Sequence, residues 1–129
     1  MNTSLLVGLI ALIVLLSGCS TIVETGTLSG TISIGPLCPV ERNPPDPACQ
    51  PTLSTYKNYP ISVHGFDGTQ VAQITPSLNG SYSINLIDGE YVVDRDNPSK
   101  IGNSNLPQNI TITGKDTTIF NIVIDTGMR

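Results

Sequence analysis

A period of two recurs along most of this chain, and turn-forming dipeptides interrupt it at short intervals. In LSGTISIG, Leu28, Gly30, Ile32 and Ile34 share one parity while Ser29, Thr31, Ser33 and Gly35 share the other. That is the pattern of a strand with one buried face. It returns with Ile61 and Val63 in YPISVHGF, with Tyr82, Ile84 and Leu86 in GSYSINL, and with Tyr91 and Val93 in GEYVVD. Ile110 and Ile112 repeat it in NITIT, and in TTIFNIVID the set Phe120, Ile122, Ile124 alternates with Ile119, Asn121, Val123. TQVAQIT leaves two facings open, Val71 with Gln73 or Ala72 with Ile74. Between these runs stand Asp67-Gly68, Asn79-Gly80 and Asp88-Gly89, residues that tolerate the positive φ of tight hairpin turns.

Seven short strands with such spacing predict an all-β antiparallel domain. No stretch carries a helical period, so no helix is expected to cover the apolar face of the sheet. A second sheet must do so, which makes the expected fold a two-sheet β-sandwich. With no Trp and two Phe, the tyrosines and the Ile/Val set have to fill its core, and so small a core benefits from a covalent staple.

The N-terminus has a different character. No Lys, Arg, Asp or Glu precedes Glu24, and Leu5 to Leu16 is an unbroken apolar run, shorter than the ~20 residues of a spanning helix but suited to a signal-peptide core. Leu16-Ser17-Gly18-Cys19 resembles the lipobox of exported lipoproteins. The resemblance implies a signal peptide over 1–18, Cys19 as the lipidated first mature residue, a tether over 19–26 and a domain over 27–129. The opening MNTS carries no Lys or Arg, and an uncleaved N-terminal anchor is the alternative. Either reading attaches the domain to the cell membrane, facing the extracytoplasmic side.

Setting Cys19 aside leaves Cys38 and Cys49 in GPLCPVERNPPDPAC, an even pair in a domain expected to be exported and oxidised, hence a disulfide. The prolines between them prevent ladder pairing and make the stretch a loop. Six basic and ten acidic side chains are scattered to a net charge of −4, which offers no basic stripe for nucleic acid. His64 is the sole histidine, so neither a zinc cluster nor a Ser-His-Asp set is legible, and its facing is left open. No cofactor is expected. Asp94 to Asn97 offers carboxylates but not the donor spacing of a calcium loop. Tyr56 and Tyr59 in STYKNYP are candidate ligand contacts, for a sugar or a protein. Asn79 and Asn109 fit the glycosylation acceptor pattern.

SGTISIGPLCPV, the Pro-rich stretch to Cys49, VAQITPSLNGSYSINLIDGEYVV, LPQNITITGKDTT and IDTGMR together resemble carboxypeptidase regulatory-like domains, the prealbumin-like sandwiches related to transthyretin. The most characteristic part is Gly80-x-Tyr82 followed by Leu86-x-x-Gly89-x-Tyr91. The resemblance implies a seven-stranded Greek-key sandwich acting as an accessory or binding module, without catalytic residues. The expected function is a non-enzymatic module for protein interaction or envelope support, lipid-anchored through Cys19. The alternative is a small-ligand module for carbohydrate using Tyr56 and Tyr59.

Overall fold

The computed structural model describes residues 18–40, 42–97 and 102–128. The apolar run of the expected signal peptide lies outside the described residues, as do Glu41 and the segment 98–101. Among the described residues the chain forms nine strand segments: β1 (Thr25–Gly35), β2 (Ile61–Gly65), β3 (Gln70–Ile74), β4 (Ser81–Ile87), β5 (Gly89–Arg95), β6 (Asn103–Ser104), β7 (Gln108–Ile112), β8 (Thr117–Ile119) and β9 (Ile122–Asp125). They build two sheets. In one, β4, β1, β9 and β6 lie side by side with β8 also paired to β1, and in the other the order is β3-β2-β5-β7.

Parity decides the packing, as the alternation requires. Leu28, Ile32, Ile34, Tyr82, Leu86, Ile122 and Ile124 from the first sheet meet Ile61, Val63, Ile74, Val93, Ile110 and Ile112 from the second in one buried cluster. The open facing of β3 is resolved, since Ile74 is buried while Val71 is exposed. The opposite face of the first sheet carries Thr27, Ser29, Thr31, Ser83, Asn85 and Asn121, with small polar side chains and no charge along β1 or β4.

Three features depart from the expected seven strands without a helix. The run expected as one terminal strand is split at Phe120-Asn121, so that β8 pairs with the first half of β1 and β9 with its second half, both parallel. At the split, a Cβ built at Gly30 would run into the Phe120 carbonyl, so the close approach of the two chains depends on a residue without a side chain. The short β6 pairs with β9, adding a second extra strand in the loop after β5. Third, a helix α1 (Leu53–Asn58) follows the proline loop. Thr52 caps it, accepting from Thr55 N while the Thr55 hydroxyl accepts from Thr52 N, a reciprocal box that supplies two otherwise unpaired ends. A helix of six residues is too short to display a repeat of 3.6 in sequence.

β1 begins at Thr25, two residues before the expected domain start at 27. Its first turn of chain is held by Asp88 N donating to Glu24 O and Lys115 N donating to Thr25 O. The other end of β1 leads into the loop closed by the Cys38–Cys49 disulfide, whose Cα atoms are 5.5 Å apart. A 3-10 turn over Pro47–Cys49, capped by the Asp46 carboxylate accepting from Ala48 N, brings Cys49 round to its partner.

Candidate functional site

β3 is an outer strand of its sheet, and α1 lies beside its C-terminal half. Between them runs a groove of about 350 Å³ lined by Leu53, Tyr56, Lys57, Pro60, Gln73, Ile74, Thr75 and Pro76. The helix reaches this position because Tyr56 is driven into the core, where it is 8% exposed and its hydroxyl donates to Leu78 O at 3.5 Å. Leu53, one turn before it, and Lys57, the residue that follows it, remain exposed.

The floor of the groove is polar for a reason that follows from register. Asp96 N donates to Pro60 O, and β2 pairs with β5 with Ser62 opposite Asp94 and His64 opposite Val92. Even-numbered residues of β2 therefore bond toward β5, and Ile61 and Val63 bond toward β3, where they face Ile74 and Ala72. Alternation within β3 then directs the N–H and C=O of Gln73 away from the sheet and into the groove. The site combines apolar walls, an unpaired strand edge and one cation, Lys57.

Tyr59 is partly buried and packs against the core. Tyr56 contributes a wall of the groove and not an exposed ring face, so the two tyrosines do not form an open stacking platform. His64 sits on the outer face of its sheet, where pairing with β3 shifts register between Val63 and His64. Its Nε2 lies 3.9 Å from Asp96 Oδ1, while the Ser62 hydroxyl donates to Asp96 Oδ2 at 2.7 Å. The carboxylate thus stands between serine and imidazole, the wrong order for activating a nucleophile, and Ser62 is 0% exposed.

Asp94 does not lie in a loop but in β5, and its carboxylate accepts from Arg95 N. Among the described residues no three His, Cys, Asp or Glu side chains are grouped to hold a metal. Asp67 accepts from Thr69 N at 2.9 Å, and those hydrogen bonds from Thr69 hold its carboxyl below the usual range. Asn79 and Asn109 are exposed. Cys19 is exposed and free of any disulfide, and among the described residues no helix is long and apolar enough to cross a membrane. The groove itself was missed by sequence reasoning, because it requires α1 and the edge-facing side of β3. The one available signal was the Thr52/Thr55 pair after Pro51.

No protein-family model matches the chain. No curated protein matches it either. Among solved structures it is similar to GBS52, the minor pilin of Streptococcus agalactiae, with 15% identity and a TM-score of 0.52 over 81% of this chain and 45% of that one. It is also similar to the Bacillus anthracis TIE protein, with 12% identity and a TM-score of 0.50 over 79% of this chain and 16% of that one. The chain therefore spans under half the length of each, and at these identities the likeness is one of fold, a β-sandwich.

Proposed function

We propose that this chain is a non-enzymatic, extracytoplasmic β-sandwich module of the carboxypeptidase regulatory-like type, lipid-anchored through Cys19, that engages a protein partner at the groove between α1 and β3. The occupant is an extended polypeptide segment carrying apolar side chains and an acidic group. The observation that carries this reading is the groove itself, where Gln73 turns unpaired backbone groups between apolar walls. An extended segment adding to a strand edge gains main-chain hydrogen bonds there and specificity from the wall pockets. Lys57, in a chain of net charge −4, supplies the complementary charge. The pilin likeness of the fold supports a surface role, and the pairing of Cys38 with Cys49 supports an oxidising compartment.

The test is a titration of the full chain with extended peptides of alternating apolar and acidic residues, read by the backbone amide shifts of Gln73 and Thr75. Those two amides are expected to move, and Lys57→Glu to weaken binding on the order of tenfold. Movement caused by disaccharides and not by peptides would transfer the groove to the carbohydrate reading. Anchoring has a separate measurement. The intact mass of the native protein should lack residues 1–18 and carry acyl chains on Cys19, and a mass that includes Met1 without acyl chains rejects the lipid anchor.

A further inference from the structure

A second edge of the sandwich is uncovered, and its hydrogen-bonding groups are arranged with a symmetry of their own. Ile32 N donates to Gly80 O, and β1 pairs antiparallel with β4 with Gly30 opposite Tyr82 and Leu28 opposite Ile84. The even-numbered residues of β4 consequently bond to β1, and Ser81, Ser83, Asn85 and Ile87 direct their backbone groups outward. Two of these are engaged locally. Ser81 N donates to Asn79 Oδ1 while Ser81 O accepts from Ser77 N, and Ile87 O accepts from the Tyr91 hydroxyl at 2.6 Å.

What remains is a window of Ser83 and Asn85, each with an outward N–H and C=O, with the Ile87 N–H beyond. The centre of that window is Ile84, which points inward yet is only partly buried, unlike its neighbours Tyr82 and Leu86. No charged residue occurs from Thr75 to Ile87, so the edge has none of the lysines or prolines that discourage pairing along the strand itself. The other edges differ. β3 faces the groove and α1, β6 is two residues long, and the Thr111 carbonyl of β7 accepts from the Thr118 hydroxyl.

We propose that β4 pairs antiparallel with the β4 of a second copy of this chain, about a two-fold axis through Ile84. In that register Ser83 faces Asn85 of the mate and Asn85 faces its Ser83, so that all the free groups of both residues are matched in four hydrogen bonds. Ile84 meets its own copy across the axis as a close, non-hydrogen-bonded pair, which covers the one inward side chain of β4 that the sandwich leaves partly open. The absence of charge lets identical edges approach in a protein whose overall charge repels its copies. This surface is separate from the groove, and the inference does not depend on the groove's ligand.

The test uses the full-length chain in detergent solution, with sedimentation to read mass against concentration. Wild type is expected to pass from monomer to dimer. The solvent-facing double variants S83K/N85K and S83E/N85E should each dissociate roughly tenfold or more readily, because like charges stand directly opposite across the axis. An equimolar mixture of the two should recover the dimer. Slow exchange of the Ser83 and Asn85 amides in concentrated wild type, and fast exchange on dilution, gives a second readout that needs no variant. A wild type that stays monomeric into the millimolar range overturns the proposal. So does association that neither variant weakens, which would place the contact in the N-terminal segment or another face, and so does a mixture that fails to recover.

Discussion

The Tyr82 hydroxyl donates to the Phe120 carbonyl at the point where the terminal strand breaks into β8 and β9, while Phe120 N donates to Ser29 O. One residue thereby has both of its backbone groups satisfied without belonging to either strand, and Gly30 leaves the space that allows it. Burial pushes the Tyr82 phenol up to about 12, from the ordinary value near 10. Above about pH 10 the unfolded chain releases a proton that the folded chain retains, so this contribution to stability is complete below pH ~10 and is lost as pH rises toward ~12. Tyr82→Phe is expected to cost roughly 1–2 kcal/mol at neutral pH, because it leaves the Phe120 carbonyl without its donor, and to flatten the loss of stability between pH ~10 and ~12. Urea unfolding of both proteins across that range checks it, and an equal slope in the variant would remove Tyr82 as its source. The inward facing of Tyr82 was legible from alternation alone. Its partner was not, since nothing in TTIFNIVID marks Phe120 as the residue where the ladder stops.

At the scale of elements, the disulfide and α1 act together on the connection between the sheets. The cysteines lie 11 positions apart, and closing a loop of that length stabilises by about 3 kcal/mol on the chain-entropy account. The double variant C38S/C49S is expected to unfold at correspondingly lower urea concentration, with the same effect on reducing the wild type. If reduction and substitution leave the midpoint unchanged, the loop is held by other contacts. The Thr126 hydroxyl donating to Pro36 O and Thr126 N donating to Gly35 O are the other ties at this corner. The pairing of Cys38 with Cys49 was readable from count and compartment, and the looping of the prolines from their missing N–H groups. The helix was not readable, because one buried tyrosine in six residues defines no periodic face. The same burial makes Tyr56→Ala a poor probe of ligand contact, since it removes core volume, whereas Leu53 and Lys57 report on the groove without disturbing the sandwich.

For the molecule as a whole, the sandwich architecture was legible because most of its strands, β1, β4, β7 and β9 above all, alternate buried and open positions as two packed sheets impose. The candidate surfaces at β3 and β4 were not, because they depend on which strand lies outermost and on which parity bonds toward a neighbour. Direction along the sandwich adds one more constraint. β1 runs for 11 residues, a rise of about 33 Å from Thr25 to Gly35. The groove and the disulfide loop stand toward the Gly35 end, since Tyr56 reaches Leu78 just before Gly80 bonds to Ile32. Two copies joined antiparallel through β4 point opposite ways, so one of them has Thr25 about 33 Å above any surface its other end rests on. If the lipid sits on Cys19 as proposed, the six steps of chain to Thr25 extend at most ~20 Å. Two upright copies therefore cannot share a membrane through this pairing. On these two proposals the mate is rooted in a facing surface, or both copies recline with their strands along a common one, and an antiparallel edge would then distinguish contact between envelopes from crowding within one.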